Sequence, residues 1–122
     1  MAAHIEGVAC TVLDMSGFAQ RNGSVMSHVR LGGGALAARI PPGAADLVIG
    51  CDPIVAAGPD VLAMLKPEAG QVVLNQFIAP TSSFAQNPDY TVDLSMLHRR
   101  LSQRVGEDHV LPVEATRLAT AL

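Results

Sequence analysis

Residues 46–53, DLVIGCDP, put a strand and the first turn of a helix into eight positions. Asp46 to Gly50 is a short, continuous apolar run, which reads as a strand buried on both faces because it shows no alternation. Asp52 and Pro53 follow at once. The aspartate suits the N-cap, where its carboxylate accepts from first-turn N–H groups, and proline suits the first helical position, where no N–H is needed. A doubly buried strand turning straight into a helix is the unit from which α/β proteins are built.

The same alternation extends in both directions from this stretch. Downstream, Gly58-Pro59 interrupts the helix and Asp60 can cap a second piece ending near Lys66-Pro67. Gln71 to Phe77 (QVVLNQF) is the next strand. Ile78 to Thr91 is a long polar connection, of a length that often serves function or lies against something else. Asp93 to Val105 is the clearest helix: Asp93 caps it, Leu94, Leu97, Leu101 and Val105 form one stripe, and Arg99, Arg100 and Arg104 suit its C-terminal half. Gly106 stops it. His109 to Val113 is a last strand and Glu114 to Leu122 a last helix.

Upstream, Met1 to Glu6 has helical propensity but is too short to be stable alone, and Gly7 ends it. Val8 to Leu13 is a strand, Ser16 to Gly23 a loop, and Ser24 to Leu31 a second strand. Gly32-Gly33-Gly34 breaks that strand, and Arg39 to Gly43 is irregular because paired prolines remove donors. The expectation is a single α/β domain over residues 1–122: an open, mostly parallel sheet with helices on both faces. Helices of this class follow a strand, so the stub ahead of the first strand implies that another strand precedes it in a longer chain.

Composition narrows the function classes. With 49% apolar and 16% charged residues the chain is globular. Aromatics are scarce and Trp is absent, so the core is left to Ala, Val, Leu, Ile and Met, as a parallel sheet covered by helices requires. A net charge of −3 without a basic run argues against nucleic acid as a partner. The apolar runs are too short to cross a bilayer, and the first residues lack a signal-peptide pattern. Cys10 and Cys51, single cysteines in apolar segments, read as reduced core thiols of a cytoplasmic protein. Two cysteines without a C-x-x-C pair do not ligate an iron–sulfur cluster, and His4, His28, His98 and His109 lack H-x-x-x-H spacing for zinc. No G-x-S-x-G elbow or phosphate-binding P-loop occurs. No residue stands out as acid, base or nucleophile.

One stretch carries a denser chemistry. Residues 16–31, SGFAQRNGSVMSHVRL, place Gln20, Arg21, Asn22, Gly23 and Ser24 in one short loop, with glycine-freed N–H groups beside side-chain donors. Such a loop can cradle an anion. On the strand behind it, Met26, His28 and Arg30 share one face, while Val25, Ser27, Val29 and Leu31 share the other. The alternative is that these polar groups satisfy buried backbone or pair with Asp14 and Asp46. The residues alone leave both readings open.

Ser16 to Arg30 also resembles S-G-x-A-Q-[RK]-x-G-x-V-x-S-H-V-R, the hallmark of the gamma subunit or domain of 2-oxoacid:ferredoxin oxidoreductases. It is most similar to that of indolepyruvate ferredoxin oxidoreductases, especially the fused forms. MAAHIEG, LDMSGFAQ, GAADLVIGCD, VVLN and EATRLATAL have counterparts there in the same order, so the resemblance covers essentially the whole chain. It implies a gamma-type α/β domain whose first strand and glycine-rich turn, near G-x-G-G-x-G, would precede Met1. Asn22 stands where the family usually has glycine, and asparagine tolerates left-handed backbone angles.

The resemblance further implies an enzyme that decarboxylates a 2-oxoacid on thiamine diphosphate with Mg and passes electrons through iron–sulfur clusters to ferredoxin. The acyl group goes to coenzyme A. Those cofactors belong to the partner domains or subunits, and the gamma domain helps enclose the site, with coenzyme A as a possible ligand of its own. Gln20, Arg21, Gly23, Ser24, Ser27, His28 and Arg30 are then the candidate surface meeting a ligand or the catalytic partner. The rival functions are a stand-alone module for a nucleotide, coenzyme A or an acyl carrier, and a structural docking domain without catalysis.

Overall fold

The computed structural model describes residues 1–16, 25–32, 37–79 and 91–122. They fall into two compact units, Met1–Ile40 and Pro41–Leu122. The first unit holds helix α1 (Ala2–Ile5) and strands β1 (Cys10–Ser16) and β2 (Val25–Leu31). The second holds β3 (Leu47–Gly50), α2 (Pro53–Ala56), α3 (Pro59–Met64), β4 (Gln71–Asn75), α4 (Leu94–Val105), β5 (Val110–Val113) and α5 (Ala115–Thr120).

The fold is α/β, with a difference from the single sheet expected. Among the described residues there are two sheets: β1 and β2 pair antiparallel, and β3-β4-β5 form a parallel sheet in that order. In the antiparallel pair Leu13 lies opposite His28 and Asp14 opposite Ser27. β1 begins two residues later than Val8, because Val8 N–H is taken by Ala3 O at 2.7 Å in the turn leaving α1.

In the second unit, Val72 and Leu74 on one face of β4 meet Ala56 and Ala57 after β3, Leu65 after α3, and Leu97, Leu101 and Val105 of α4. One cluster therefore joins the connections on both sides of β4, which places α2, α3 and α4 over the same sheet face. Two successive crossovers of one hand, in a strand order that advances in one direction, require this arrangement. The α4 stripe is as expected: Leu97, Leu101 and Val105 are buried and Leu94 packs beside them. Each fully buried leucine contributes about 1.5–3 kcal/mol of transfer free energy. The opposite face is apolar and in part exposed among the described residues. Ile49, Val73 and Leu111 lie in register across it, and Ile49 and Leu111 are 70% and 60% exposed.

Helix starts and stops follow local chemistry. Asp52 Oδ1 accepts from Ile54 N–H at 2.8 Å and Val55 N–H at 3.3 Å, and Asp93 Oδ1 accepts from Ser95 N–H at 2.9 Å. The N-cap of α3 is Gly58 with Pro59 in the first turn, so Asp60 sits inside the helix and does not cap it. Gly106, at φ 102°, stops α4, and a 3-10 turn over Glu107–His109 precedes β5. No helix among the described residues is long and apolar enough to cross a membrane.

Candidate functional site

Of the seven residues expected to face a ligand or partner, Gln20, Arg21, Gly23 and Ser24 lie outside the described residues, as does Asn22. Ser27, His28 and Arg30 sit on β2, with Ser27 on the exposed face and the other two on the inward face. Ser27 Oγ donates to Asp14 Oδ1 at 2.6 Å, across the pair that the register sets opposite each other. Arg30 Nη1 donates to Ala37 O at 2.8 Å. Ile40 N–H donates to His28 Nδ1 at 2.9 Å. His28 is buried, at 2% exposure. All three thus engage partners in their own unit: one is the acid named beforehand, and two are backbone groups after the glycine break.

Both cysteines correct the expectation of core thiols, because both are exposed. Cys10 shares the outward face of β1 with Val12 and Asp14, and Cys51 lies just past the end of β3, where the chain turns into the Asp52 cap. Among the described residues no three His, Cys, Asp or Glu side chains gather where they could hold a metal ion. Two cysteines in separate units do not fit a cluster that takes four thiolates.

The carboxyl ends of the parallel strands, where α/β sheets commonly bind ligands, are tied together by Asn75. Its Nδ2 donates to Cys51 O at 3.1 Å and to Thr116 Oγ1 at 2.9 Å, and its Oδ1 accepts from Thr116 N–H at 3.4 Å. One amide thereby links the exits of β3 and β4 to the start of α5. Next to it, Gln76 Nε2 lies 3.1 Å from His98 Nε2 at the head of an open groove of about 660 Å³. Ser95, Arg99, Ser102 and Gln103 of α4 and then Glu107 line that groove. The sequence pattern marks neither His98 nor Asn75 as a site residue. The available signal was position, since Asn75 is the polar residue that ends an apolar strand at its carboxyl terminus.

Arg104 also does something other than complement its own helix dipole. Its Nε and Nη2 both donate to Leu65 O, at 3.1 and 2.9 Å. It therefore caps α3 from across the core, because Leu65 is the C-cap of that helix.

Comparison with known proteins adds a frame to this geometry. Residues 1–122 match the family described as pyruvate ferredoxin/flavodoxin oxidoreductase. The indolepyruvate oxidoreductase subunit IorB of Methanothermobacter thermautotrophicus is 31% identical over 108 residues, 86% of this chain and 52% of that protein. The chain spans about half the length of that relative. No solved structure matches.

Proposed function

Because the chain belongs to the pyruvate ferredoxin/flavodoxin oxidoreductase family, we propose that it is the gamma domain of a thiamine-diphosphate-dependent 2-oxoacid:ferredoxin oxidoreductase, with indolepyruvate as the 2-oxoacid. The observation that carries this reading is that the match runs over the whole chain and includes Ser16 to Arg30. The indolepyruvate assignment rests on the name of the relative. In the assembled enzyme, thiamine diphosphate supplies the carbanion chemistry that decarboxylates the 2-oxoacid. Iron–sulfur clusters held by partner domains would supply electron transfer to ferredoxin, and coenzyme A would accept the acyl group.

The part of this chain is to help assemble and enclose that site. Gln20, Arg21, Gly23 and Ser24 would hold a phosphate of coenzyme A, by side-chain donors and glycine-freed N–H groups. In this reading the chemistry belongs to the complex. Docking without ligand contact is the second reading. It is favoured by one observation: Ser27, His28 and Arg30 engage local partners.

The test is Arg21→Ala in the full-length protein coexpressed with its thiamine-binding and iron–sulfur partners. An intact complex with a raised KM for coenzyme A supports the ligand role, whereas loss of assembly supports docking. A complex assembled and turning over as before would refute both.

A further inference from the structure

His28 and Arg30 stand two positions apart on the inward face of β2, and each bonds the backbone of the segment after the glycine break. Alternate residues on a strand are separated by about 6.6–6.8 Å. The two ties therefore grip Ala37 and Ile40, near both ends of a four-residue segment, and hold it along the strand. Burial shields the histidine tie from competition by water.

The tie also decides the state of the ring. To accept from Ile40 N–H, Nδ1 must keep its lone pair, so the proton of the neutral ring sits on Nε2. Nε2 then has an N–H and no lone pair. It can donate, but it can neither take up a proton nor ligate a metal while the Ile40 bond persists. Nε2 is also buried, and has no acceptor among the described residues.

We infer that His28 is a positioning residue, locked as the Nε2–H tautomer, which together with Arg30 clamps Ala37–Ile40 onto β2. It acts through the backbone it holds and does not touch the substrate or a cofactor. The inference stands on the ring and its backbone partner, independently of the proposed function.

The test is a long-range ¹H–¹⁵N correlation spectrum of the ¹⁵N-histidine-labelled chain, which separates the two neutral tautomers from the imidazolium. The Nε2–H pattern is expected for His28, with slow hydrogen exchange at the Ile40 amide. His28→Ala is expected to speed that exchange about tenfold, the size of one lost hydrogen bond. His28→Asn, whose side-chain oxygen takes the place of Nδ1, is expected to restore most of the protection. An Nδ1–H tautomer, an imidazolium at neutral pH, or fast Ile40 exchange in the unaltered chain would overturn the inference. These three readouts need no variant, so they decide the matter even where His28→Ala does not fold. In the assembled enzyme, His28→Asn is expected to retain turnover. Lost turnover with Ile40 protection intact would make His28 a ligand contact and overturn the positioning role.

Discussion

Gly50 closes β3 at the point where the chain must turn under α2, and replacing it with alanine tests how closely those two elements approach. A Cβ at Gly50 would lie 2.7 Å from Ala56 Cβ, 2.9 Å from Leu74 Cδ1 and 3.7 Å from Val73 O. The first two distances are below any ordinary carbon–carbon contact. Neither neighbour has an inexpensive retreat, because Ala56 Cβ is fixed to the helix backbone and Leu74 is fully buried in the core cluster. Overpacking of this kind costs about 1–3 kcal/mol. Reduced freedom of the unfolded chain returns about 0.4–1 kcal/mol, since Gly50 has no positive φ. The net expectation is a loss of about 1–2 kcal/mol. With a urea m-value of about 1–3 kcal/mol/M, the unfolding midpoint falls by roughly 1 M. Far-UV circular dichroism of the 122-residue chain in urea measures this directly. The Gly50→Ala/Ala56→Gly pair gives the second arm. Removing the Ala56 methyl alone costs about 1 kcal/mol in helix propensity, but in the double variant it also relieves the 2.7 Å clash, so the two changes should cost less together than their sum. A Gly50→Ala midpoint equal to or above that of the unaltered chain, or strict additivity of the pair, would refute the close approach of β3 and α2.

Two further substitutions probe ties that cross the core. Arg104→Ala removes both donors from Leu65 O and leaves the C-cap of α3 without them, at an expected cost of about 1.5–3 kcal/mol in urea unfolding. Arg104→Lys should recover only part of that, because an ammonium is a point donor and not a planar fork. Asn75→Asp places a carboxylate oxygen where the amide N–H₂ now meets Cys51 O and Thr116 Oγ1. A lower midpoint is expected, because that oxygen now faces Cys51 O, while the oxygen retained from the amide still accepts from Thr116 N–H; Asn75→Leu removes that acceptor, and faster hydrogen exchange at the Thr116 amide is expected there.

How far the fold was legible depended on the range of the interactions that build each element. The αβ unit at residues 46–53 was visible because its signals are neighbours in the chain: an apolar run, an aspartate and a proline in consecutive positions. The helix Leu94–Val105 was visible for the same reason, since its cap and stripe recur within twelve residues. The α3 start was misjudged. Pro59 fills the first turn and leaves Gly58 as the N-cap, so Asp60 has no cap position to occupy. Cys10 and Cys51 were misjudged because apolar neighbours in sequence do not say which face of a strand a residue takes, or that a strand has already ended.

The polar stretch 16–31 shows the same divide. Its donor density, the face shared by His28 and Arg30, and the family resemblance were all written in the sequence. Whether His28 and Arg30 bond within their own chain was not. Such bonding requires the backbone of Ala37 and Ile40 to arrive within about 3 Å of the side chains, and only the folded path after the glycine break brings it there. The same holds for Asn75 with Thr116, 41 residues apart, and for Arg104 with Leu65, 39 apart. Sequence by itself determined the α/β class, the periodic faces and the helix starts at Asp52 and Asp93, because those follow from sterics and hydrogen bonding between near neighbours. Tertiary structure alone decided which polar groups remain available and which are consumed, because a hydrogen bond depends on where distant backbone comes to rest.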